Sequence, residues 1–191
     1  MLYIVGDCYI RDLGEAGYIP DNIIFDGYPG VGIQQRNTLE NILAKYADQL
    51  DTNKAVNQKI LLCFGHVDVR DTSCNKEDIL ELTDYYIRTS ISTLGKHFSK
   101  IYFAEPFAMY ADTKRKERIE FEILLIEALK KSAEKYNVKI VLSQKEVYEA
   151  IGKNAILRSD AVKERNNINY MWPEDFQVKT LDLILKKALT L

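Results

Sequence analysis

Two polar clusters of this sequence, each shortly after an apolar run, contain side chains that could do chemistry. The first is Asp7-Cys8, which follows the run 2–5 (Leu-Tyr-Ile-Val). The second is the segment 65–68 (Gly-His-Val-Asp), which follows the run 60–63 (Ile-Leu-Leu-Cys). A cysteine thiolate is a strong nucleophile, histidine is the most frequent general base, and an aspartate can orient that base. The two clusters together predict one site for nucleophilic chemistry.

Such chemistry requires Cys8 and His66 to meet in the fold. Neighbouring strands of a sheet lie about 5 Å apart, so the two residues would be close if their strands were neighbours. We therefore predict a Cys8–His66 dyad in which Asp68 or Asp7 orients the imidazole. The alternative is structural, because free cysteines are often small buried hydrophobic residues and a strand-end histidine is often hydrogen-bonded in the core.

Short β-rich runs alternate with longer helical stretches along the chain. The runs predict strands at 2–5, 22–25, 59–64, 100–104 and 138–142, and the stretches predict helices at 38–50, 76–94, 114–136 and 174–189. This alternation is typical of α/β proteins with a parallel sheet between two helical layers. Ligands of such sheets bind beyond the carboxyl ends of the strands, where Cys8, the loop 27–32, the segment 66–71 and Glu105-Pro106 would lie.

Length and composition narrow the class of protein. A chain of 191 residues with 47% hydrophobic residues can build one full core, so we predict a single domain over 1–191. With 26 basic and 28 acidic residues the chain lacks the positive charge that nucleic-acid binding requires, and no apolar segment is long enough to span a membrane.

Three cysteines without paired spacing predict neither a disulfide framework nor a metal site. We expect a cytoplasmic protein.

Three blocks in chain order resemble the SGNH (GDSL-type) hydrolases. They are Gly6-Asp7-Cys8, Gly30-Val31-Gly32 and Gly65-His66-Val67-Asp68, and Glu105-Pro106 followed by a long helix matches the usual layout of that family. The resemblance covers most of the chain. It implies a three-layer α/β/α fold with a five-stranded parallel, flavodoxin-like sheet of order 2-1-3-4-5, and an esterase activity on small acyl esters.

The sequence departs from the family at the residues that carry catalysis. Cys8 stands where the family has its nucleophilic serine, and Val67 stands where it has an asparagine of the oxyanion hole. The late Asp-x-x-His block is absent, because no histidine follows His97 and the nearest window is 167–170 (Asn-Ile-Asn-Tyr). A thiol can replace the serine, whereas losing one oxyanion donor typically costs about a hundredfold to a thousandfold in rate.

Other residues of the blocks are candidates for substrate contact. Backbone amides of Cys8 and Gly32 would bind the oxyanion, and Asp7 and Gly30 lie in the same blocks. Arg70 would either recognise an anion, since its guanidinium suits carboxylates, or form a local ion pair that closes the loop.

Three functions remain open at this stage. The first is hydrolysis of small acyl esters, such as acetyl groups on a carbohydrate, by Cys8 with His66 as base, without cofactor or metal. The second is acyl transfer from coenzyme A in polysaccharide modification, because Gly6-Asp7-Cys8-Tyr9 is similar to the Gly-Asn-Cys-Gln block of capsular-polysaccharide acyltransferase-like proteins. The third is a non-catalytic SGNH-fold module that serves binding or structure.

Overall fold

The computed structural model describes residues 1–49, 57–71, 75–107, 115–151, 163–165, 169–171 and 174–191. Its central sheet consists of five parallel strands in the order β2-β1-β3-β4-β5. The bounds of the strands are β1 Leu2–Asp7, β2 Ile23–Tyr28, β3 Lys59–Cys63, β4 Lys100–Ala104 and β5 Lys139–Leu142. The predicted fold class and strand order are confirmed, and all five predicted strands exist. β4 has the predicted bounds, and the ends of the other four strands differ by at most three residues.

Helices cover both faces of this sheet. Their bounds are α1 Cys8–Glu15, α2 Arg36–Gln49, α3 His66–Asp71, α4 Ile79–Leu94, α5 Arg115–Lys135, α6 Gln144–Ile151 and α7 Glu174–Thr190. A 3₁₀ turn, Lys76–Asp78, precedes α4 and accounts for the earlier predicted start of that helix. In one layer α4 packs between α2 and α5, and in the other α7 packs against α1 and α6. None of the described helices is long and apolar enough to cross a bilayer.

The three short helices α1, α3 and α6 were not predicted from the sequence. Each has eight residues or fewer, so the apolar periodicity that identifies a helix is repeated at most twice. A small antiparallel pair, β6 Lys163–Arg165 and β7 Asn169–Met171, was also not predicted. Two residues of the degenerate C-terminal window, Asn169 and Tyr170, lie in β7, and positions 167 and 168 lie outside the described residues.

The core is densest around the two central strands. Every residue of β1 is buried, and four of the five residues of β3 are buried, as expected for parallel strands covered on both faces. Gly6 permits the closest packing there, since a Cβ at this position would lie 2.3 Å from the Cys63 carbonyl oxygen. β1 and β3 are therefore held together where both strands end, which is where the two polar clusters begin.

Candidate functional site

The site lies at the carboxyl ends of the neighbouring strands β1 and β3. Gly6 pairs with Cys63 in the last register position of the two strands. β1 runs directly into α1, which begins at Cys8, and β3 is followed two residues later by α3, which begins at His66. Gly65 makes the turn before α3 with φ +119°, a conformation that favours glycine. Two helix N-termini and their first residues thus meet at one edge of the sheet.

Asp7 is the carboxylate that joins these two helix N-termini. It is fully buried, and its Oδ1 accepts a hydrogen bond from the backbone N–H of Tyr9 (3.2 Å), which makes Asp7 the N-cap of α1. Its Oδ2 accepts from the backbone N–H groups of His66 (3.0 Å) and Val67 (3.4 Å) in the first turn of α3. One side chain therefore satisfies amides from two helices that would otherwise lack partners.

The same carboxylate also holds the imidazole of His66. His66 Nδ1 lies 2.9 Å from Asp7 Oδ2, and both side chains are buried. Because this oxygen already accepts two backbone N–H groups, Nδ1 fits as an N–H donor, and in a neutral imidazole the lone pair is then on Nε2. Nε2 is buried and has no hydrogen-bond partner in the described part of the chain. Of the two carboxylates that the sequence offered as partners of His66, Asp7 is the one that is hydrogen-bonded to the imidazole.

Two aromatic rings form the walls around this imidazole. The ring of Phe107 meets it edge-to-face with 4.3 Å between centroids, and the ring of Tyr9 lies 5.1 Å away at a tilt. Together they leave His66 1% exposed. Neither aromatic residue was identified from the sequence. For Tyr9, its position directly after Cys8 was the signal in the sequence that could have placed it beside the site.

Cys8 is partly buried and is the first residue of α1. The predicted dyad would require a hydrogen bond between its thiol and His66. Within the described residues that bond is not formed, because Nδ1 is bonded to Asp7 and Nε2 has no partner. The second described cysteine, Cys63, is fully buried, and burial raises the pKa of its thiol well above the usual range. Cys74 lies outside the described residues.

Asp68 has a different role from the one predicted for it as a possible partner of His66. It is fully buried in α3, and its two oxygens accept the backbone N–H groups of Ile33 (2.8 Å) and Gln34 (3.0 Å). Burial raises the pKa of this carboxyl to about 6. The Asp68 carboxylate therefore fixes the loop between β2 and α2 to α3, and the His66 imidazole is hydrogen-bonded to Asp7, the other carboxylate that the sequence offered.

That loop contains the two glycines predicted to contact substrate. Gly30 is exposed with φ +74° in a turn closed by a hydrogen bond from Val31 N–H to Tyr28 O (3.3 Å). Gly32 is buried against Asp68, and its backbone N–H donates to Gln35 Oε1 at 2.5 Å. The predicted oxyanion amide is therefore occupied by a side chain of the protein itself, because Gln35 follows Gly32 by only one tight turn.

The remaining predicted positions add little polar chemistry to the site. Val67 is fully buried and supplies no side-chain donor in place of the family's asparagine. The side chain of Arg70 lies outside the described part of the structure, so its predicted contact remains a prediction. No group of three His, Cys, Asp or Glu side chains suited to a metal ion occurs among the described residues.

A second buried carboxylate, Glu105, follows β4 at the same edge of the sheet. Its Oε2 accepts the backbone N–H of Gln144 at the start of α6 (2.8 Å), and its Oε1 lies 2.9 Å from Lys130 Nζ. The neighbouring Pro106 packs on Gly65, since a Cβ added at Gly65 would lie 3.2 Å from the Cβ of Pro106. Glu105 thus has a helix amide and a cation as partners and supports the wall that contains Phe107.

Comparison with known proteins gives fold-level matches. No family model matches the sequence, and no curated protein matches it. A lipolytic protein of the G-D-S-L family from Veillonella parvula superposes with a TM-score of 0.62 at 15% identity, covering 100% of this chain and 98% of that one.

Two further solved structures are similar over almost the whole chain. The OSK domain of Drosophila Oskar has a TM-score of 0.64 at 12% identity, with 96% of this chain and 86% of that chain covered. A variant of Axe2, an acetyl xylan esterase from Geobacillus stearothermophilus, has a TM-score of 0.59 at 13% identity, with 98% and 93% covered. The chain therefore has the three-layer α/β/α, SGNH-hydrolase-like fold of these proteins.

Proposed function

We propose that the protein is an SGNH-fold acyl-ester hydrolase that uses Cys8 as nucleophile and the His66–Asp7 pair as base. The observation that supports this most strongly is the buried hydrogen bond of 2.9 Å between His66 Nδ1 and Asp7 Oδ2, with Nε2 left without a described partner. This arrangement matches the orienting half of a catalytic triad, in which a carboxylate fixes the tautomer and direction of the imidazole. It restores a base from a different chain position than the family uses.

The reaction follows from these groups. His66 Nε2 takes the proton of the Cys8 thiol, and the thiolate attacks the acyl carbon, so that a C–S bond forms as the carbonyl π electrons move to oxygen. The tetrahedral intermediate collapses, the ester C–O bond breaks, and the imidazolium returns its proton to the leaving alcohol. Water, deprotonated by His66, then attacks the thioester carbonyl. The C–S bond breaks, the acyl group leaves as a carboxylic acid, and the imidazolium returns its proton to the Cys8 thiolate. The first proton transfer requires the Cys8 side chain to turn towards His66 Nε2.

The substrate class is inferred from the site and from the structural neighbours. The backbone N–H of Cys8 lies at the positive N-terminal end of α1, which stabilises both a thiolate and a developing oxyanion. One structural neighbour is an acetyl xylan esterase. We therefore propose small acyl esters, with acetyl esters of carbohydrates as the first class to test, and neither a metal nor a cofactor enters the reaction.

The test is turnover of 4-nitrophenyl acetate and of acetylated xylo-oligosaccharides by the wild type, Cys8→Ala, Cys8→Ser and His66→Gln. The proposal expects Cys8→Ala to remove turnover and His66→Gln to reduce it at least a hundredfold, since positioned general bases contribute about 10² to 10⁴. The matched control is Cys74→Ser, which removes a different thiol and should leave turnover unchanged. Equal rates for the wild type and Cys8→Ala would overturn the proposal.

A second candidate is a non-catalytic SGNH-fold module. It is favoured by the apolar Val67 and by the occupied amide of Gly32, which together leave fewer oxyanion donors than the family uses. It predicts no turnover with any acyl ester. A third, coenzyme A-dependent acyl transfer, predicts that coenzyme A raises the melting temperature, since a ligand that binds the folded state stabilises it.

A further inference from the structure

Three consecutive backbone amides in the loop between β2 and α2 point to side-chain oxygens of the protein itself. The N–H of Ile33 and that of Gln34 donate to Asp68, and the N–H of Gly32 donates to Gln35 Oε1. Successive backbone amides of a turn can form a concavity suited to an oxygen ligand. In this structure all three amide positions are occupied.

The two residues that occupy these amides differ in how easily they can leave. Asp68 is fully buried in α3 and makes two hydrogen bonds, so displacing it would leave a buried carboxylate without partners. Gln35 is partly exposed and uses one neutral oxygen, and its backbone already begins α2 by accepting from Leu39 N–H (2.9 Å). Its carboxamide can therefore rotate into solvent without disturbing the helix.

The oxygen of Gln35 is also chemically similar to the atom that a substrate would bring. Oε1 is a carbonyl oxygen, as is the acyl oxygen of an ester, and both accept one hydrogen bond from a backbone amide. We propose that the Gln35 carboxamide is a displaceable internal stand-in for the acyl oxygen, and that an acyl substrate takes the Gly32 amide by expelling Gln35. This inference rests on the proposed function and adds a residue that controls access to the oxyanion amide.

Two variants of Gln35 test whether its side chain competes with the substrate for the Gly32 amide or supports the site. Gln35→Ala removes the competitor, and because a neutral hydrogen bond contributes modestly in net terms, kcat/KM for 4-nitrophenyl acetate should rise about threefold to tenfold. Gln35→Glu places a charged and stronger acceptor on the same amide, so kcat/KM should fall below the wild-type value. Asn37→Ala, on the exposed side of α2, is the control and should leave kcat/KM unchanged. A fall in kcat/KM for Gln35→Ala would overturn the inference and make Gln35 a supporting residue.

A readout independent of turnover is the amide signal of Gly32 in ¹H–¹⁵N NMR spectra. In Gln35→Ala its hydrogen exchange should accelerate, since the amide loses its acceptor. In Cys8→Ala, which cannot be acylated at this position, titration with ethyl acetate should shift the Gly32 amide and the Gln35 side-chain amide together. If turnover is absent but both amide signals respond to ethyl acetate, the proposed hydrolase activity fails and the displacement of Gln35 stands. If the two signals do not respond to ethyl acetate, the displacement fails whatever the activity.

Discussion

Asp7 and Glu105 are both buried carboxylates at the carboxyl edge of the sheet, and both accept backbone amides at the start of a helix. They differ in their remaining partner. Glu105 pairs with Lys130, whose side chain is 55% exposed, so its charge is compensated next to solvent. Asp7 instead holds an imidazole that is itself buried and whose second nitrogen has no described partner.

The comparison separates a structural carboxylate from one with chemical capacity. Both use the same device, a carboxylate on helix amides, to fix the end of a strand to the start of a helix. Of the two carboxylates, only Asp7 also holds an imidazole. The next residue of the chain is Cys8, whose side chain is partly buried. Under the proposed function, the Asp7–His66 side of the edge carries the chemistry and the Glu105 side supports it.

The largest effect should come from removing Asp7. Asp7→Ala leaves three backbone amides and a buried imidazole without their acceptor, and breaking a buried pair typically costs about 3–5 kcal/mol. Glu105→Ala loses a helix cap and an ion pair whose lysine is half exposed, so the expected loss is about 1–2 kcal/mol. Urea unfolding of both variants measures the difference. Equal losses in the free energy of unfolding would remove the distinction between the two carboxylates.

A smaller effect concerns the pH dependence that Asp68 imposes. Burial raises the pKa of its carboxyl to about 6 in the folded protein, above the unfolded value of 3.8. The folded state therefore binds this proton more tightly, and the stability that Asp68 contributes is fully present below pH 4 and is lost as the pH rises through 6. The shift corresponds to about 3 kcal/mol.

The difference between wild type and Asp68→Asn isolates the titration of Asp68 together with its coupling to Asp7, because carboxyls remote from Asp68 titrate alike in both proteins. Across urea titrations from pH 4 to pH 7, the wild type should lose stability relative to Asp68→Asn as the pH rises. A difference that stays constant over this range would contradict the raised pKa of Asp68.

The smallest effects distinguish the two loop glycines. A Cβ at Gly32 would lie 2.5 Å from Asp68 Oδ2, so Gly32→Ala should displace that carboxylate and cost about 1–3 kcal/mol. A Cβ at Gly30 meets nothing within 4 Å, and Gly30→Ala should cost about 1 kcal/mol through its positive φ alone. Thermal unfolding compares the two. A larger loss for Gly30→Ala would show that Asp68 does not pack on Gly32.

The fold could be predicted from the sequence because it depends on strong, repeated signals. Apolar runs and long amphipathic stretches predicted the α/β class, whereas the strand order was implied by the resemblance to the SGNH hydrolases that the three ordered blocks carry. The helices α1 and α3 were missed because they are short, and with them the N-cap function of Asp7.

The sequence predicted that Asp7, Cys8 and His66 lie at one edge of the sheet, but it did not predict their contacts. Which of Asp7 and Asp68 reaches His66 depends on how α3 is rotated relative to β1, and sequence spacing does not determine that rotation. The occupation of Gly32 by Gln35 was missed for a related reason. A side-chain acceptor three residues away is common in turns, and it gains significance only once the structure shows that Gly32 packs against Asp68, two residues after His66.

The central claim is that the Asp7–His66 pair activates Cys8. The most direct test is the pH dependence of Cys8 alkylation by iodoacetamide in the wild type and in His66→Gln, read by peptide mass spectrometry with the buried Cys63 as internal control. The account predicts an apparent pKa for Cys8 well below the usual value of about 8.5 in the wild type, and a return towards that value in His66→Gln. The same unshifted profile in both proteins would contradict it.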